Sequence, residues 1–84
     1  MNAKQRKTLQ RLFQNPVPAE VGWGDIESLF IALDATITDG AGSRVRVTLN
    51  GAQFHGHVPH PKRICTRTMI RGIRDFLIDA GVKP

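Results

Sequence analysis

Two helix-periodic segments enclosing a strictly alternating, hairpin-forming run predict an α+β fold for this 84-residue chain, an α-β-β-β-α sandwich with an extra N-terminal helix. The alternation lies at residues 43–49, where Val45, Val47 and Leu49 take one face and Arg44, Arg46 and Thr48 the other. The helical periods flank it: Ile26, Leu29, Phe30 and Leu33 recur at three- and four-residue spacing, as do Met69, Ile73, Phe76, Leu77 and Ala80. A chain this short hides only about 60 to 65% of its unfolded surface on folding, so its core must be thin.

Lys4 to Gln14 reads as a short helix with Leu9, Leu12 and Phe13 on one side. Asn15-Pro16-Val17-Pro18 ends it, because proline lacks an amide donor and disfavours helix in the residue before it. Residues 1–21 are therefore expected to form an appendage, an N-terminal helix and Pro-rich linker, outside a domain spanning 22–84. That domain opens with a helix starting near Gly24 or Asp25, where Asp25 caps free amides, Trp23 staples the first turn, and Glu27 and Ser28 look outward. Ala35-Thr36-Ile37-Thr38 suits a short strand, and Asp39-Gly40-Ala41-Gly42 a turn.

The strand at 43–49 runs into Asn50-Gly51, a pair suited to a type I′ reversal because both residues tolerate positive φ. Counting outward from that turn pairs Leu49 with Ala52, Thr48 with Gln53, Val47 with Phe54, Arg46 with His55, Val45 with Gly56 and Arg44 with His57. Arg44, Arg46, His55 and His57 then share the outer face. Val58-Pro59-His60-Pro61 is extended, since two prolines forbid both helix and central-strand pairing. A final helix runs from about Thr66 to Ala80 and ends at Gly81, with Arg67, Arg71 and Arg74 as a basic stripe and Arg71 placed to pair with Asp75.

Charge is segregated along the chain. Residues 15–42 carry five acids and no Lys or Arg, whereas Ser43 to Arg74 carries seven Arg and Lys, all three histidines and no acid. With a net charge of +5, so long a basic block raises a local potential that attracts polyanions, nucleic acid above all. The lone Cys65 has no partner for an internal disulfide, which suits a reducing compartment. No apolar run approaches the roughly 20 residues that span a bilayer, and no apolar stretch follows the basic N-terminus as in a secretory signal. A cytoplasmic protein with no membrane partner is expected.

Gly42-Ser43 opening a strand, Val58-Pro59-His60-Pro61 closing the next, and a helix ending in Ala80-Gly81-Val82 together resemble the HicA toxin family, from about residue 22 onward. The resemblance implies a fold like that of double-stranded-RNA-binding domains, ribosome-independent cleavage of mRNA, and neutralisation by a HicB antitoxin. The family carries a catalytic histidine directly after the Gly-Ser pair; this chain has Arg44 there. Arginine stays protonated and cannot serve as a base, although it can stabilise a negatively charged phosphorane.

Cleavage through the ribose 2′-hydroxyl needs a base, an acid and positive charge at phosphorus, and histidine suits the first two because its ordinary pKa is about 6.5. His57, or else His55, is the expected replacement base on the neighbouring strand, with Arg44 at the phosphorane. Arg44, Arg46, His60, Lys62, Arg63, Arg67 and Arg71 are the expected RNA contacts, His60 at a position that matches the family. His55-x-His57 with His60 and Cys65 lacks a carboxylate or second cysteine, so neither a metal nor a cofactor is expected, and Ser43 lacks a histidine oriented by an acid to serve as a nucleophile. Two readings compete with an RNA-cleaving toxin: a non-catalytic RNA binder on the same basic face, and a protein-interaction module that meets an acidic partner.

Overall fold

The structure is a computed structural model describing all residues from Met1 to Pro84. Three helices, α1 (Ala3–Leu12), α2 (Trp23–Ala32) and α3 (Arg67–Asp79), and five strands, β1 (Glu20–Gly22), β2 (Thr36–Asp39), β3 (Arg44–Leu49), β4 (Ala52–His57) and β5 (Ile64–Thr66), make an α+β domain. β2, β3 and β4 form an antiparallel three-stranded sheet in that order, and β1 pairs with β5 in a separate antiparallel ribbon. No helix is long and apolar enough to cross a membrane.

The hairpin is built as the Asn-Gly turn dictates. Asn50 and Gly51 have φ of 50° and 83°, and all six β3–β4 pairs match the count outward from them, from Leu49 opposite Ala52 to Arg44 opposite His57. Val45, Val47 and Leu49 are buried beneath the helices, while Arg44, Arg46, His55 and His57 are exposed. Asn50 also donates from Nδ2 to the Ala80 carbonyl at 2.9 Å, which ties the hairpin tip to the end of α3. That end is a Schellman turn: Gly81 sits at φ 81°, and the Val82 and Gly81 amides donate to the Leu77 and Ile78 carbonyls.

Residues 1–21 are not an appendage. Leu9 and Leu12 belong to the same buried cluster as the sheet and the other helices, and Gln5 Nε2 donates to Ser28 Oγ at 3.0 Å. The outer flank of α2, expected to face water, is covered by α1 at that point. Asn2 and Gln5 close a capping box at the start of α1, with each side chain accepting from the other residue's amide. α2 begins earlier than expected: Gly22 is its N-cap, Trp23 is a fully buried first-turn residue, and Asp25 pairs with Lys4 at 3.5 Å instead of capping. In α3 the buried stripe includes Ile70, while Met69 is half-buried, and Arg71 has no carboxylate within ion-pair reach, so the expected pair with Asp75 is absent.

Aromatic contacts connect the layers. Trp23 meets Phe30 edge-on at 6.2 Å, Phe30 meets Phe76 at 5.8 Å, and Phe76 meets Phe54 of β4 at 6.2 Å. Phe54 lies back along its own strand under Gly56, where an added Cβ would fall 2.9 Å from two ring carbons, and a Cβ on Gly72 of α3 would fall 3.4 Å from the other side of the ring. Gly56→Ala forces that ring to move and is expected to cost about 1–3 kcal/mol. A urea titration of the variant checks this, and Phe54→Leu added to Gly56→Ala recovers part of the loss.

Cys65, buried between Val21 and the underside of α3, has its thiol pushed up to about 11 by desolvation. The unfolded chain releases that proton near pH 9 and the folded chain near 11. The folded state therefore binds more protons in this window, and the stability that the neutral thiol contributes below pH 9 is lost as pH rises through 11. A fall of up to about 2–3 kcal/mol is expected across that window, and it should be missing from the Cys65→Ala denaturation curves.

Candidate functional site

The open face of the sheet carries a cleft of about 570 Å³. Its construction follows from the pleat. Val45 and Gly56 pair across the hairpin with side positions toward the core, so their backbones form a floor, while the flanking pairs Arg44–His57 and Arg46–His55 rise on either side as walls. Thr38 of β2, which pairs with Arg46, and the Asp39-Gly40 end of that strand close the remaining side. Directly opposed residues in an antiparallel pair hold their Cβ atoms about 4.5–5.5 Å apart, so each arginine stands within reach of the anion that its facing imidazole would touch.

These basic groups have no ion-pair partner within the protein. The single ion pair of the protein joins Lys4 to Asp25, far along the chain from the hairpin, and no carboxylate lies within 4.0 Å of Arg44 or Arg46. His55 Nε2 is 3.3 Å from Gln53 Oε1, two residues back on the same face, an interaction that fixes the ring when Nε2 carries the proton and leaves Nδ1 as acceptor. His57 makes no side-chain hydrogen bond. Such a cleft can take up a phosphodiester, neutralise it from two guanidinium groups, and present two imidazoles to it.

A second, smaller cleft of about 230 Å³ adjoins the first and shares Arg44 and Asp39 with it. Ser43, His60 and Arg63 line it, together with Gly42 and Val58. The 58–63 loop is held there by its main chain: the Val58 amide donates to the Ser43 carbonyl and the Trp23 amide to the Arg63 carbonyl, each at 2.8 Å. His60 and Arg63 thus stand beside the hairpin site, and Lys62 is exposed on the same loop without lining either cleft.

The arginines of α3 do not join this surface. The helices cover the inner face of the sheet, which places Arg67 and Arg71 in the opposite layer from Arg44 and Arg46. Arg67 donates from Nε to the Val17 carbonyl at 3.3 Å and so holds the proline-rich linker. Arg74 clasps α1: its Nε donates to the Leu12 carbonyl at 2.6 Å, a second nitrogen to the Gln14 carbonyl, and the guanidinium lies 5.9 Å from the Phe13 ring centroid. The Leu12 carbonyl is one of the orphan acceptors of a helix end and the Gln14 carbonyl lies just past the cap, and a cation there also meets the negative pole of the helix. The expected single basic surface therefore divides into the sheet clefts and a structural set on α3. Nothing in residues 67–74 of the sequence distinguishes a clasp from a ligand contact, because the acceptors are main-chain atoms some sixty residues earlier.

No three side chains among His, Cys, Asp and Glu come together in a way that could hold a metal ion. His55 and His57 point outward from β4, whereas Cys65 is sealed in the core. No family model, curated protein or solved structure matches the chain.

The two classes of arginine should separate on mutation. Arg74→Ala removes charged hydrogen bonds to main-chain carbonyls and is expected to cost about 1.5–3 kcal/mol, whereas Arg46→Gln on the open face should change stability by no more than about 0.5 kcal/mol. Paired urea titrations read both, and equal losses would contradict the division.

Proposed function

We propose that this protein binds RNA in the hairpin cleft and cleaves it, acting in the cytoplasm as the toxin of a HicA/HicB-type pair with a fold of the double-stranded-RNA-binding-domain kind. The observation that carries this reading is the facing of Arg44 with His57 and of Arg46 with His55 around a solvent-open cleft free of ion-pair partners. The run of α2, the three-stranded sheet β2-β3-β4 and, after the short β5, α3 supports the fold assignment, and the resemblance of Gly42-Ser43, Val58-Pro59-His60-Pro61 and Ala80-Gly81-Val82 to the HicA family supports the biological role. An acidic HicB-like antitoxin would neutralise such a surface by occupying it.

In the proposed reaction the ribose 2′-oxygen attacks phosphorus while its proton passes to the neutral ring of His57. The bond from phosphorus to the 5′-oxygen breaks, and His55, acting with both ring nitrogens protonated, gives the Nδ1 proton to the departing oxygen while Nε2 stays bonded to Gln53. The products are a 2′,3′-cyclic phosphate and a free 5′-hydroxyl, with no outside reactant. Alternate residues on one strand are about 6.5–7 Å apart, so one ring can address the attacking oxygen and the other the leaving oxygen. Arg44 and Arg46 stabilise the charge that develops on the phosphorane, and Arg44 does so from the position where the family carries its histidine.

A second reading, binding without cleavage, is favoured by that same replacement of histidine by Arg44. Purified protein incubated with a labelled single-stranded RNA separates the two. Cleavage to a cyclic phosphate is expected, reduced about 10²- to 10⁴-fold in His57→Ala or His55→Ala and further in the double variant. Undiminished cleavage in the double variant would sink the assignment, and salt-sensitive binding with no cleavage would leave only the second reading. Growth arrest on induced expression of the wild type but not of His57→Ala tests the toxin role.

A further inference from the structure

Two clefts meeting at one arginine suggest a path longer than a single phosphate. We propose that the protein takes an extended single strand of RNA across both clefts, with the reacting phosphate between Arg44 and Arg46 and the adjacent phosphate held by Ser43, His60 and Arg63. This rests on the reading of the hairpin cleft given above and adds the form of its substrate.

The smaller cleft has the chemistry of an oxyanion site: one hydroxyl, one imidazole and the Arg63 guanidinium, with no carboxylate within ion-pair reach of that guanidinium. It is also built in advance. The backbone on either side of it is pinned by the Val58 amide on the Ser43 carbonyl and the Trp23 amide on the Arg63 carbonyl, so its side chains project from fixed positions. Arg44 lines both clefts and therefore stands between the two phosphates, able to hydrogen-bond either with its five-donor fork. Asp39 also lines both and is the only acid there. An acceptor-only carboxylate repels a phosphate and suits a ribose hydroxyl or a base amino group lying between phosphates.

The shape selects a single strand. The hairpin site is a depression whose floor is the Val45–Gly56 backbone, and a depression accepts a base splayed away from its neighbours, with the imidazoles as stacking surfaces. A duplex keeps its bases stacked inside and offers such a surface only its backbone ridges.

The test is fluorescence anisotropy with 5′-labelled oligouridylates of two and four nucleotides, carrying 2′-O-methyl groups that block cleavage, and with an RNA duplex carrying the same number of phosphates as the four-nucleotide strand on each strand. Wild type should bind the four-nucleotide strand more tightly than either the shorter strand or the duplex. Arg46→Gln should weaken binding of both strands. Arg63→Gln should weaken the longer strand roughly tenfold more than the shorter one, and should lower its salt slope by about 0.7. His60→Ala, read in the same way, serves as a second probe of the smaller cleft. If Arg46→Gln has no effect on either strand, the hairpin reading itself fails. If Arg46→Gln acts but Arg63→Gln and His60→Ala lose equally on both lengths or not at all, or the duplex binds as tightly as the strand, the two-phosphate path is wrong while the hairpin site stands.

Discussion

A two-residue reversal with both residues at positive φ leaves the strands it joins no freedom of alignment, because a slip by one residue would turn every core side chain outward. Asn50 and Gly51 impose that constraint here, four residues from the nearest end of the cleft. Arg44 faces His57 because Leu49 faces Ala52. The same asparagine is bonded to the carbonyl of Ala80, the C-cap of α3, so the turn that sets the register is also fixed against the helical layer. A bulge anywhere between the turn and Arg44 would have moved one imidazole to the inner face and dissolved the site.

The inner face makes its own demand. A core this small, with sixteen buried apolar residues drawn from six of the eight elements and the end of α3, leaves each layer dependent on the others. Phe54 shows how closely they interlock: its ring occupies the space that side chains at Gly56 and Gly72 would need, and through Phe76 and Phe30 it reaches Trp23 at the start of α2. The floor of the cleft is flat at Gly56 for this reason of packing. Site and core thus share one residue from opposite sides of the sheet.

Much of this was readable from residues alone where the governing contacts are local. Helical periods, the alternation at 43–49 and the Asn-Gly turn are properties of neighbours, and they located α2, β3, β4, α3 and the four side chains of the cleft. What escaped depends on distant partners. β1 and β5 have three residues each, with one buried side chain apiece, too short for any period to register, and each exists because the other is beside it. α1 looked peripheral because its apolar stripe is narrow; its place in the core comes from Gln5 reaching Ser28 and Arg74 reaching the carbonyls at its end. The stripe of arginines on α3 carried no mark to tell Arg67 and Arg74, which bond main chain, from groups left free. Ile70 shares the central three- and four-residue spacing with Ile73, Leu77 and Ala80, and Met69 sits at the edge of that stripe.

The protein has nineteen Lys, Arg, Asp and Glu residues but only one ion pair, and that pair is on the surface, between Lys4 and Asp25. Its architecture is held by apolar burial, main-chain hydrogen bonds and arginine-to-carbonyl clasps, none of which mobile ions compete for strongly, while the groups on the sheet are bare charges that they do screen. Ionic strength is therefore a control that acts on one and spares the other: over a range that screens the charges of the open face, the molecule keeps its shape.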